Sequence, residues 1–174
     1  RILPVIKSIR KTDSVVLISI DTTKSIVAKQ AVEAGADIVN DISGFSLDKN
    51  MPSVVSSLDV PVILMHMKGT PLTMQKKPHY DNLVVEISSF FLSQINVAKS
   101  AGIKTEKIIL NFDYDAYLKE EMPISHNKPS EKNKDSLQAK FNEILGEFSQ
   151  KRGNVSIGED RKILMDALWD KYGQ

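Results

Sequence analysis

The chain has 174 residues, 41% of them hydrophobic and 26% charged, enough apolar material for the core of one domain. Its 23 Lys and Arg against 22 Asp and Glu leave a net charge of +1, which argues against a basic nucleic-acid binder. The absence of cysteine excludes a disulfide framework, a thiolate metal site and a cysteine nucleophile.

No apolar run approaches the roughly 18 residues of a membrane span. No secretory leader is visible, and the chain begins at Arg1 rather than Met, as expected of a fragment, a processed chain or a truncated reading frame. Cytoplasm is the expected compartment, with neither membrane nor nucleic acid as a partner.

In chain order, residues 1–11 carry an amphipathic helical pattern. Residues 15–20 (VVLISI) form a short β-branched apolar run, and 37–41 (DIVND), 61–66 (PVILMH) and 107–111 (KIILN) are similar. Near-continuous apolar runs of this length fit strands of a parallel sheet buried on both faces. Helical periodicity fills the intervals. Residues 23–34 open at a Thr cap and stop before Gly35. Residues 48–58 align Met51, Val54, Val55 and Leu58. Residues 81–101 align Leu83, Val84, Ile87, Phe90, Phe91 and Ile95 and stop at Gly102. Strand and helix alternating at this spacing predict right-handed βαβ units and a parallel α/β sheet.

The character changes near residue 111. Residues 1–111 hold 13 Lys/Arg and 10 Asp/Glu, and the much shorter 112–174 hold 10 and 12. Residues 112–134 read as a linker, charged and carrying Pro123 and Pro129. Residues 135–174 read as a tail of two amphipathic helices, with stripes Leu137, Phe141, Ile144, Leu145, Phe148 and Ile163, Leu164, Ala167, Leu168.

Ligands of parallel α/β folds bind at the carboxyl ends of the strands. The groups there are Asp21-Thr22, Asn40-Asp41 followed by Ser43-Gly44, Met65-His66-Met67-Lys68-Gly69-Thr70, and Asn111. A carboxylate, an amide, a thioether and a lysine at one mouth suit a planar, nitrogen-rich heterocycle: Asp accepts from ring N–H groups, Asn donates and accepts, and Met packs on the ring face. Each residue also has a plain structural reading. Asp21 can be a helix cap, Asn40-Asp41 turn chemistry, His66 a structural hydrogen bonder, and Met65 or Met67 core filling. Lys68-Gly69-Thr70 lacks the spacing of a phosphate loop, and His66, His79 and His126 lack metal-ligand spacing.

The segments ISIDT (18–22), AGADIVNDISG (34–44) and LMHMKGTP (64–71), continued by Met74-Gln75 and PHYD (78–81), resemble dihydropteroate synthase over roughly residues 1–111. The resemblance implies a TIM (β/α)8-like barrel, here partial. It implies a folate-pathway transferase condensing hydroxymethyl-dihydropterin pyrophosphate with p-aminobenzoate, usually with Mg2+. The positions matching the pterin pocket are Asp21, Asn40, Ile42 and Met65, and Asn111 stands where the family carries a gripping aspartate. No residue is assigned as catalytic. The family's Asn-bearing metal and pyrophosphate loop, its pterin-contacting lysine and its Arg/His pyrophosphate site have no expected counterpart here. The Mg2+ site is therefore expected to be missing from this chain and its activity in isolation to be low, and a homodimer is compatible. The second reading is a non-catalytic pterin-binding or assembly module whose helical tail docks to a partner or second copy.

Overall fold

Parallel strands cannot be joined by tight turns, so each neighbouring pair needs a crossover. The computed structural model describes residues 1–69 and 80–111. Its elements run α1 (Leu3–Thr12), β1 (Ser19–Asp21), α2 (Ser25–Glu33), β2 (Ile38–Asp41), α3 (Met51–Leu58), β3 (Val62–Met65), α4 (Leu83–Ser100) and β4 (Ile108–Asn111). The four strands form one sheet in the order β1-β2-β3-β4, every pair parallel. The sequential order, the α/β class and the parallel pairing agree with the sequence reading.

Local chemistry explains the helix ends. Pro4 and Pro52 sit in the first turns of α1 and α3, where a missing N–H costs nothing. Asn82 caps α4, its side chain accepting from the Val85 N–H at 3.1 Å. The expected Thr cap of α2 is replaced. The cap position is Lys24, whose side chain makes no capping bond, and the Ser25 N–H at the helix start donates instead to Asp48 Oδ2 at 2.7 Å. Donations from the Ser25 N–H first, then the Ser25 hydroxyl, then the Asn50 N–H hold the Asp48 carboxyl below its usual range.

The core forms on one face of the sheet. Ile20, Val39, Val62, Leu64 and Ile108 are buried there with Ala28, Ala31, Met51, Val55, Ile87 and Phe91 from the helices. Helix α2 packs on β1, β2 and α3, and α4 packs on β4. The expectation of burial on both faces holds only for Ile38 and Val39 of β2, which are buried on opposite faces. In β3, Val62 and Leu64 are buried while Ile63 and Met65 are half-exposed, and β1 alternates in the same way. Apolar residues on the second face hid this alternation in the sequence.

The first strand is also shorter than expected: of residues 15–20, only Ser19 and Ile20 lie in β1. The Asp13 carboxylate accepts from the N–H groups of Val15 and Val16, and the Arg10 guanidinium donates to the Ser14 and Val16 carbonyls. Side chains thus take the backbone groups that would have continued the ladder. The remaining strands end within two residues of expectation. The linker 112–134 and the tail 135–174 lie outside the described residues.

Arg10 ties α1 to the sheet. Its Nε donates to the Gly35 carbonyl at 2.8 Å and its terminal nitrogen pairs with Asp37, whose carboxylate also accepts from the Ile18 N–H at 2.8 Å. Both side chains are less than one-fifth exposed. Removing the cation would strand a largely buried carboxylate. Arg10→Ala is therefore expected to lower unfolding free energy by about 2–4 kcal/mol in a urea titration. Lys29→Ala, which breaks an exposed pair with Glu33 at 3.8 Å, is expected to change it by less than about 0.5 kcal/mol.

Candidate functional site

The second face of the sheet carries the polar groups. The β1–β2 register sets Asp21 opposite Asn40, and Asn40 Nδ2 donates to Asp21 Oδ1 at 3.1 Å. The Thr22 N–H donates to the Asn40 carbonyl at 3.0 Å, extending the ladder past the strand end. Asp21 is exposed and Asn40 half-buried. Among the described residues, the buried Asn40 Oδ1 has no hydrogen-bond partner, an acceptor that a donor must fill if it is not to cost stability. The orientation is chemically fixed, because the reversed amide would turn its oxygen onto the Asp21 carboxylate.

The same face continues across the sheet. Asn40 is in register with Ile63, and Met65 with Asn111. Residues two apart on a strand share a face, so Ile63 and Met65 on β3, and Ile109 and Asn111 on β4, extend the surface begun by Asp21 and Asn40. Met65 is half-buried and Asn111 exposed; Ile42, the first residue beyond β2, is half-buried. The five residues singled out from the sequence therefore lie at the carboxyl end of one parallel sheet, with Asp21 and Asn40 in direct contact. Asp41 turns to the covered face, where it is fully buried.

Behind this surface lies a cluster that the sequence reading did not assemble. His66 sits 4.9 Å from the Phe90 ring, edge-on, and 5.9 Å from the Tyr80 ring. Lys68 Nζ lies 4.1 Å from the Tyr80 centroid and 2.7 Å from Glu86 Oε2, and Glu86 Oε1 accepts from the Asp81 N–H at 2.8 Å. Phe90 and Glu86 belong to α4, where periodicity marks Phe90 only as a core position. The hydrogen bond from Lys68 holds the Glu86 carboxyl below its usual range. Burial, then the Lys68 charge, push the His66 imidazole below its usual value of 6.5. Among the described residues no group of three or more His, Asp or Glu gathers to hold a metal ion.

The lowered His66 value has a pH signature. Below about pH 6.5 the unfolded chain takes up a proton that the folded chain refuses, so the stability contributed by neutral His66 is lost as pH falls from 7 through the folded-state value. Urea titrations between pH 7.5 and 5 are expected to show this loss in the wild type and a shallower slope in His66→Gln. Parallel slopes would contradict it.

The family model for pterin binding enzymes matches residues 1–165. The match thus runs well past residue 111, where the sequence motifs end and to which the resemblance had been confined. The chain is 33% identical over 171 residues to the dihydropteroate synthase of Haemophilus influenzae, covering 98% of this chain and 56% of that protein. It is 42% identical over 111 residues to that of a Synechocystis strain, covering 64% and 38%. Among solved structures, the Burkholderia cenocepacia dihydropteroate synthase complexed with 7,8-dihydropteroate superposes with a TM-score of 0.57 at 32% identity, over 66% of this chain and 40% of that one. The chain spans about half the length of the relatives it matches, and its four parallel strands form a part of a TIM-type α/β barrel. On the extent of the family match and on the sheet it folds into, the chain belongs to the pterin binding enzymes.

Proposed function

We propose that this chain supplies the pterin-recognising face of a dihydropteroate synthase-type transferase of folate synthesis. The observation that carries the reading is the Asp21–Asn40 pair, its exposed carboxylate on the same sheet face as the half-buried Met65. Asp21 accepts from ring and amino N–H groups, Asn40 fixes the carboxylate, and Met65 and Ile42 pack against the ring plane. The reaction breaks the bond between the pterin methylene carbon and pyrophosphate. It forms a carbon–nitrogen bond to the amine of p-aminobenzoate, which then loses a proton. Holding the ring fixes the methylene carbon for in-line attack. Mg2+ on the pyrophosphate, a homodimeric assembly and a cytoplasmic location complete the proposal.

Asn111 modifies the reading. The amide offers one acceptor oxygen where a carboxylate offers two, and its NH2 can face a ligand donor. Titration of the full chain with fluorescent 6-hydroxymethylpterin is expected to saturate, and Asp21→Ala is expected to weaken binding by about tenfold or more, the scale of a lost charge-assisted hydrogen bond. Asn111→Asp is expected to tighten binding by about fivefold, corresponding to about 1 kcal/mol at this exposed position. Absence of saturable binding by the folded wild-type chain would overturn the proposal.

A further inference from the structure

One carboxylate occupies a place where the fold calls for an apolar side chain. Asp41 pairs in register with Leu64 on the helix-covered face and is fully buried there. No lysine or arginine among the described residues pairs with it. Its Oδ1 accepts from the Ser43 N–H at 2.9 Å and the Ser43 hydroxyl at 2.7 Å, and its Oδ2 accepts from the Phe45 N–H at 2.9 Å. The Asp41 carbonyl also accepts from the Gly44 N–H at 3.0 Å. These four bonds fold residues 41–45 into a closed turn whose last two residues are left-handed, Gly44 at φ 53° and Phe45 at φ 69°. A positive φ is unfavourable for a phenylalanine and persists only when its surroundings enforce it. The buried carboxylate and the buried Phe45 ring do so here.

The turn is also pressed against the next strand. A Cβ on Gly44 would lie 2.8 Å from the Met65 carbonyl oxygen and 2.8 Å from the Phe90 ring. The segment leaving β2 therefore abuts the carboxyl end of β3. Asp41 stands between Asn40 and Ile42, so whatever fixes its turn also fixes them.

We infer that Asp41 is a positioning residue for the pterin face: its buried hydrogen bonds to Ser43 and Phe45 set the place of Asn40, Ile42 and Met65 without touching the ligand. The inference rests on the pterin reading above and extends it to a residue on the opposite side of the sheet. Burying an apolar side chain at position 41 would suit the core better. A carboxylate there, satisfied only by donors of one turn, serves the turn.

The test is 6-hydroxymethylpterin binding to the full chain, read at a temperature where every variant is folded. Asp41→Asn places an NH2 group against one of the turn's donors, and Ser43→Ala removes the hydroxyl donor alone. Val55→Ala, in α3 and away from the face, supplies a core lesion for comparison. Asp41→Asn is expected to weaken binding by about tenfold or more, Ser43→Ala by about threefold, and Val55→Ala by less than about twofold. A merely structural Asp41 would lower stability and leave affinity at the Val55→Ala level, and that result overturns the inference. If Asp41→Asn does not fold, the comparison of Ser43→Ala with Val55→Ala decides in the same way. Failure of the wild-type chain itself to bind would overturn the pterin reading, and this inference with it.

Discussion

The phase of the sheet depends on which residues the helices bury. In a strand, neighbouring side chains point to opposite faces, so placing Val39 and Val62 in the core turns Asn40 and Ile63 outward. A slip of one residue would send Asn40 into the core and Val39 out of it. The equivalent exchange in β1 would put Ser19 and Asp21 in the core in place of Ile20, and burying that unpaired carboxylate is what opposes the slip. The hydrophobic core thus sets the register, and the register puts Asp21 within hydrogen-bond distance of Asn40. The polar face is positioned by the apolar one.

A second regularity lies in the loops. Besides Asp13, three aspartates accept from backbone N–H groups, Asp37 while also pairing with Arg10. Asp37 holds Ile18, Asp41 holds Ser43 and Phe45, and Asp48 holds Ser25 and Asn50. Each closes a connection beside a strand end, where unpaired N–H groups would otherwise need water. Asp37 does this at the amino ends of β1 and β2, whereas Asp41 and Asp48 act in the loop at the carboxyl end, where a preformed mouth lowers the ordering cost of binding. Lys68 follows the same logic from the other side, its ammonium held by Glu86 and the Tyr80 ring.

These loop contacts divide what the sequence reveals from what it conceals. The strands were legible because four short apolar runs recur at crossover spacing, and the site residues because polar groups follow each run. The start of the first strand was not, because Val15 and Val16 look like strand residues until Asp13 and Arg10 claim their backbone groups. The cap of α2 was not, because its acceptor, Asp48, lies 23 residues beyond Ser25. The wall of the mouth was not, because Phe90 obeys the helical period of a core residue and only the fold brings it to His66 and Gly44. Long-range partners leave no periodic trace, and the aspartates that serve them look like ordinary polar loop residues.

The polarity of the face follows from one amide orientation. Asp21 is an acceptor, so Asn40 must present its NH2 to it, which leaves the Asn40 oxygen as a second acceptor. The β1–β2 end of the face is therefore acceptor-rich. The β4 end differs, since Asn111 carries both a donor and an acceptor. Between them Ile63 and Met65 provide an apolar floor with no directional demand. A flat ring with clustered N–H donors on one edge fits the first end, and a ring with mixed donors and acceptors fits the second. The order of the strands alone, β1-β2-β3-β4, thus gives the face a direction, so a ring lying flat on the floor meets a different set of groups when turned end for end.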